Sequence, residues 1–434
     1  MKVTIDEISP VQKRLSVEIS SDVVLKELNE TYAKLNKKVK IKGFRPGKVP
    51  RKIIEKFYSD QVKSEVIDTL ISKTLPKAIE DARLIPILHP QLDSASPIKA
   101  GETFSYSVTV DLWPEFEVTD YKGIEIEKPE ITVTDQEVEE QLEALRRHFG
   151  AIEAVEEDRP LETNDIAIID YSGEIDGEPV EGLDEKDYYL EVGKGYFNEE
   201  FERAIIGMAV GSERTIEITY PDDAINEKVA GKTVYYNVVL KGIKKRILPE
   251  LNDEFAQKFS PDYKTIDDLR ERLKKQILAD KEEAVRSSLR NQILDKLVSG
   301  VDFPVPERLI EAKLDQMIDN ISGHLHERGV DLEKAGISQD RLKEKMREDA
   351  IKQVKTELIL DKIADKEDVK VENEELARHI DQSSTQIDRE ELLAALVQHV
   401  LPKLRAKKTL DLLLEHAVIR QAASEADAMD QTRD

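Results

Sequence analysis

The sequence predicts a multidomain α+β chain: an N-terminal α+β domain, a small β-rich domain, and a long all-helical C-terminal region. Three observations predict it. At 434 residues the chain is long enough for two to four separate cores. The spacing of apolar residues changes along it, from mixed, to alternating, to steps of three and four. The charge is also uneven: residues 1–100 hold 19 Lys/Arg against 13 Asp/Glu, within a chain of formal net charge −25.

Each element follows from its local pattern. Leu15, Val17 and Ile19 alternate as in a half-buried strand. Leu25, Leu28, Tyr32, Leu35 and Val39 then step along one face of a helix. Gly43 and Pro46-Gly47 break that helix, and Pro50 suits the first turn of another, which carries Ile53, Ile54 and Phe57. Val66, Leu70 and Ile71 suit a further helical face, and Phe104 to Leu112 alternate as a strand. The first domain is therefore expected over 1–114.

Residues 115–155 read as a connector. Glu125 to Pro129 is extended, and Thr134-Asp-Gln-Glu137 has capping-box spacing before a helix carrying Val138, Leu142 and Leu145. A β-rich domain over 156–246 follows, with strands at Ile166–Tyr171, Tyr188–Val192, Glu213–Tyr220 and Thr233–Ile243 and a turn at Asp176-Gly177. From 247 to 434 the spacing is helical. Leu269 and Leu273 begin one helix and Ile310, Leu314 and Ile318 mark another. Leu358 and Ile359, then Leu392 and Leu396, and finally Leu410, Leu414 and Val418 mark those that follow.

Composition narrows the chemistry. Hydrophobic residues make up 39% and charged ones 36%, which suits solvated helices better than one large core. There is no cysteine, so disulfides, thiolate nucleophiles and Cys-ligated metals are excluded. No apolar run approaches the ~18 residues of a membrane span. The opening Met1-Lys2-Val3 reads as strand, not signal peptide. A cytoplasmic protein with no membrane association, no metal and no cofactor is the expectation.

The stretch 41-IKGFRPGKVPRKII-54 stands apart. It lies within Lys34 to Lys56, where ten basic residues face one acid, Glu55. Such a cluster on an acidic chain suits contact with something anionic. As a phosphate-binding P-loop it fails, because its glycines are one residue too close and Val49 replaces the hydroxyl that would hold magnesium. Its prolines stiffen it and its glycines turn it. Phe44 is either a core aromatic or a plug for a partner's pocket, and its place between Gly43 and Arg-Pro-Gly favours the plug.

GFRPGKVP at 43–50 resembles the ribosome-binding signature of the trigger factor family. Ile166 to Ile243 resembles an FKBP-type prolyl isomerase domain, and Leu248-Pro-Glu-Leu-Asn-Asp-Glu-Phe255 resembles the family's entry into its helical domain. The resemblance implies a chaperone that meets nascent and unfolded polypeptides at the exit tunnel of the large ribosomal subunit. It implies docking of Gly43, Phe44, Arg45, Pro46, Gly47 and Lys48 on a ribosomal protein and adjacent rRNA. Pro46 stands where a basic residue is common. Two helical arms forming a cradle with the N-terminal domain, a homodimer off the ribosome and a link to cell division follow from the same resemblance. A free-standing isomerase without ribosome docking is the alternative.

For the isomerase, the resemblance assigns aromatic pocket positions to Tyr171, Tyr188, Phe201 and Tyr236 and the acidic one to Glu181. It places a backbone group holding the substrate carbonyl at Phe197 or Asn198. The residues by themselves leave open whether these rings are pocket or simply core. Four departures bear on activity: Val180 replaces a usual Phe, Glu199-Glu200 replace Pro-Gly, and Ala224 stands where a tyrosine is expected. They lead us to expect a shallower, wetter pocket and weak catalysis. Among client-facing residues Met317, Leu392 and Leu396 are equally open as arm packing.

Overall fold

The computed structural model describes the chain except residues 42, 43, 46, 225, 261, 328–337, 378–396, 398–399 and 422–434. Gly43 and Pro46 of the basic loop, and Leu392 and Leu396, lie outside the described residues. The chain forms two compact units. The first comprises Met1–Thr119, Val298–Lys313 and Asp349–Ile359. The second comprises Asp120–Leu297, Leu314–Glu348 and Leu360–Asp434.

In the first unit β1 (Lys2–Ser9), β2 (Gln12–Ile19), β3 (Gln91–Ala95) and β4 (Phe104–Asp111) form an antiparallel sheet in the order β1-β2-β4-β3. Leu15 pairs with Val108, Val17 with Tyr106 and Ile19 with Phe104, so the alternating apolar residues of both central strands share one face. Two helices cover it, α1 (Ser21–Lys38) and α2 (Arg51–Asp81). The buried face of α1 is Val24, Leu28 and Tyr32, while Leu25 is 41% exposed. The expected stripe was thus one residue out of phase at its start, because steps of three and four both satisfy a 3.6-residue turn. The second and third expected helices are one helix, which runs through Pro76.

The second unit contains β5 (Glu125–Lys128), α3 (Asp135–His148) and β6 (Ala151–Ala154). They are followed by β7 (Ile166–Ile175), β8 (Glu178–Glu191), α4 (Glu199–Ile205), β9 (Glu213–Thr219) and β10 (Thr233–Ile247). The long β10 pairs with β7 along one edge and with β9 and β6 along the other, and β8 extends the sheet beyond β7. Its inner face packs Ile169, Leu190, Ile216, Val234 and Val238 around Phe201 and Ile205 of α4. Thr134 caps α3 in a capping box with Glu137, as its spacing predicts.

The remaining helices are α5 (Asp253–Phe259), α6 (Ile266–Gly300), α7 (Glu307–Glu327), α8 (Gln339–Lys366), α9 (Asn373–Ala377) and α10 (Leu401–His416). Val138 and Leu142 of α3 pack with Phe255 of α5 and with Leu269 and Leu273 of α6, so the connector is part of the helical packing. Val418, expected on the last helix, instead starts β11 (Val418–Gln421), which pairs in parallel with β5. A β-branched Val-Ile pair offered an open edge forms strand in place of another helical turn.

Candidate functional site

Two sites are built from the predicted residues. The first is the basic loop between α1 and α2. Val39 and Val49, at its two ends, are buried in the domain core. Asn36 of α1 holds the returning strand of the loop. Its side-chain amide donates to the Val49 carbonyl at 3.2 Å and its oxygen accepts the Val49 N–H at 3.2 Å, while its own carbonyl accepts the Gly47 N–H at 2.9 Å. Gly47 turns the chain at φ +82°, a backbone conformation that suits glycine. With its base held this way, the tip faces water. Phe44 is 40% exposed, and Arg45 and Lys48 are exposed.

Not every base here is available. Arg51 pairs with Glu55 at 2.6 Å, bonds Asn29 and lies 4.8 Å over the Tyr32 ring. Its charge is used within the domain, whereas Arg45 and Lys48 project outward.

The second site is a box of five aromatic rings. Tyr171 projects from β7, Tyr188 from β8 and Tyr236 from β10, all towards the inner face. Phe197 arrives on the loop before α4 and Phe201 on α4 itself. The Phe197 ring lies 4.3 Å from that of Phe201, 5.1 Å from Tyr171, 5.8 Å from Tyr236 and 6.1 Å from Tyr188. Gly173 makes room beside them: a Cβ there would stand 2.9 Å from the Leu183 Cβ and 3.2 Å from the Tyr236 ring. Tyr236 is 1% exposed, and its hydroxyl is satisfied by that of Tyr220 at 2.8 Å.

Electrostatics keep the box neutral. Burial, reinforced by Glu185, pushes the Tyr171 phenol up to about 12. Burial raises Tyr188 too, and burial with the Tyr220 hydrogen bond raises Tyr236. All three stay protonated at physiological pH, which suits a dry, uncharged lining. Glu181 is left out of the ring network: it is exposed, and its carbonyl accepts the Lys228 ammonium at 3.0 Å. The carboxylates that act on the Tyr171 phenol are Glu185 and Asp184.

The loop carrying Phe197 is fixed by Glu202, a residue the sequence did not single out. Its buried carboxylate accepts the N–H groups of Gly193 at 2.8 Å, Gly195 at 2.9 Å and Phe197 at 3.2 Å. Burial alone would raise this carboxyl, but the backbone donors outweigh it and hold it below its ordinary value. Asn198 caps α4, its side chain accepting from Glu200 at 2.8 Å and Phe201 at 3.2 Å. Since the Phe197 N–H is committed to Glu202, the Asn198 N–H is the group of the expected pair without an acceptor among the described residues.

The departures from the family pattern have physical consequences. Glu199 and Glu200 occupy the first turn of α4, where acids complement the helix dipole. Val180 is half-buried, and Leu183 packs into the core close to Tyr236. Ala224 offers its carbonyl to Arg341 at 2.7 Å, and Lys345 holds Asp223 at 2.9 Å, so the loop after β9 is tied to α8. Phe201 is fully buried and Tyr236 nearly so, and the Phe197 ring packs against both. A groove of about 500 Å³ beside Asp170, Glu213 and Asn237 is lined by Tyr171, Val238 and Val239 together with charged and polar groups. Among the described residues, no helix is long and apolar enough to cross a membrane.

What the box can do follows from the amide it would hold. The planar X–Pro bond owes its barrier of about 18–20 kcal/mol to resonance, so twisting it needs no nucleophile. A dry ring-lined seat with one free N–H favours the twisted form by binding it better. This arrangement defines an FKBP-type prolyl isomerase domain, and the family of FKBP-type peptidyl-prolyl cis-trans isomerases matches residues 157–241.

The regions on either side match as well. The bacterial trigger factor protein family matches residues 1–145, and its C-terminal family matches residues 265–422. Trigger factor of Desulfosudis oleivorans is 38% identical over 87% of this chain and 85% of its own length. That of Geobacter sulfurreducens is 32% identical over 98% of this chain and its entire length. A solved structure of the trigger factor chaperone aligns over 96% of this chain and 99% of its own, with 21% identity and a TM-score of 0.45. The chain belongs to the trigger factor family.

Proposed function

We propose that this protein is a ribosome-associated molecular chaperone that binds nascent chains, keeps them open and accelerates cis/trans isomerisation of X–Pro bonds. The observation that carries docking is the loop between α1 and α2, whose base is buried and clamped while Phe44, Arg45 and Lys48 face outward. Phe44 would enter an apolar pocket on a large-subunit protein, and the two cations would meet adjacent rRNA phosphate. Catalysis is assigned to the rings of Tyr171, Tyr188, Phe201 and Tyr236 and to the Phe197–Asn198 backbone, which would hold the substrate carbonyl, with Tyr220 completing the hydrogen bonding.

Function is divided at the boundaries 1–114, 115–155, 156–246 and 247–434, with clients held by the helical region and the first domain. A cytoplasmic location, a homodimer off the ribosome and a link to cell division rest on family membership alone.

Co-sedimentation with ribosomes in low salt tests the docking. The intact chain should pellet, and a Phe44→Ala/Arg45→Ala variant should stay in the supernatant. Raised salt should weaken the intact chain's binding through counterion competition. Equal pelleting of both would remove docking through this loop, and pelleting of neither would favour a free-standing isomerase.

A further inference from the structure

The Phe197 ring lies among the four other rings of the box, with centroids 4.3 to 6.1 Å away. Phe201, the ring at its floor, is 0% exposed, and Tyr236 is 1% exposed. An incoming ring can touch neither while the chain remains as it stands. Phe197 packs against both, inclined by 38° to Phe201 and presented nearly edge-on to Tyr171 and Tyr236 at 78° and 79°. A cyclic, apolar side chain held against one ring and walled by others is the packing a proline would need.

Phe197 is the only one of the five rings that lies outside regular structure. It ends the loop that Glu202 holds, and its backbone N–H is one of the bonds in that latch. The backbone is therefore fixed on both sides, by Glu202 before it and by the Asn198 cap after it. Its side chain can leave by rotation about χ1, without loss of the loop. The neighbouring Tyr196 is 75% exposed, so solvent lies directly beside this part of the loop.

We propose that Phe197 is a built-in competitor for proline: its ring fills the prolyl seat in the resting chain and must swing out before an X–Pro segment can enter. The proposal rests on the aromatic box being the prolyl site. A site that is open only part of the time shows an apparent affinity reduced by the open fraction. Short prolyl peptides then bind poorly, whereas unfolded segments already held elsewhere on the chaperone reach the seat at high effective concentration. The ring thus restricts isomerisation to held clients.

The test is steady-state isomerisation of a short Xaa-Pro tetrapeptide by the full chain, with KM and kcat resolved. Phe197→Ala should lower KM about tenfold if the seat is open roughly a tenth of the time. Phe197→Tyr, which keeps the ring, should retain the parent KM. An unchanged or raised KM for Phe197→Ala, with the fold intact by circular dichroism, overturns the proposal. Should that variant unfold, Phe197→Leu takes its place: a lowered KM supports the proposal and an unchanged one overturns it. Tyr188→Leu tells the two readings apart. If it lowers kcat/KM while Phe197→Ala leaves KM unchanged, the seat is correct and the competitor is not. If Tyr188→Leu changes nothing, the prolyl site lies elsewhere and both readings fall.

Discussion

Two phenylalanines that sit in glycine-bearing loops have opposite fates. Phe44 lies between Gly43 and Gly47 and is 40% exposed. Phe197 follows Gly193 and Gly195 and is folded into a box of four other rings. The difference lies in where each loop's backbone donors go. In the first, Asn36 grips only the returning end at Gly47 and Val49, so the tip stays out. In the second, three N–H groups converge on one buried carboxylate, which draws the loop onto the core and turns its aromatic inward. An aromatic in a flexible-looking loop is therefore a plug or a seat-filler according to its anchor.

The largest test of this contrast removes the floor of the box. Phe201→Ala deletes a fully buried ring and should destabilise the isomerase domain by about 3–5 kcal/mol in urea unfolding of the full chain. Next comes the latch. Glu202→Gln replaces charge-assisted bonds to backbone donors and should cost about 1.5–3 kcal/mol. Because the folded carboxyl lies below its ordinary value, its contribution is complete above the unfolded value of about 4.3. It fades as pH falls through the lower folded value. The gap between parent and Glu202→Gln urea midpoints should thus be constant near neutrality and close in acid. A gap that widens in acid would contradict the assignment.

Much of the molecule was legible because its signals are local. The alternation of Leu15, Val17 and Ile19, the capping box at Thr134 and the turn at Asp176-Gly177 each depend on a few adjacent residues. The aromatic positions of the box were legible through family resemblance. The anchors were not. Asn36 looks like one polar residue on a helix, and Glu202 like one more acid after Glu199 and Glu200. Each matters only through donors that fold back to it, and no periodicity marks that. The same holds for Tyr220, whose hydroxyl meets Tyr236, and for Phe197, whose backbone the family resemblance singled out but whose ring contact with Tyr236 it did not.

Smaller effects sharpen the other half of the comparison. Gly47→Ala forces a side chain onto a left-handed turn and should cost about 1–2 kcal/mol. Asn36→Ala removes two side-chain bonds to Val49 and should cost about as much, at roughly 0.5–1.5 kcal/mol per bond. Both should also weaken ribosome pelleting, since a loosened base no longer presents the tip. Phe44→Ala should behave differently. A half-exposed side chain away from the core changes stability by no more than about 0.5 kcal/mol, yet pelleting should fall sharply because the plug itself is gone. If Phe44→Ala instead lowered the unfolding midpoint as much as Asn36→Ala, its ring would be packing at home. The outward loop would then differ from the inward one in degree only, and the docking role would pass to Arg45 and Lys48 alone.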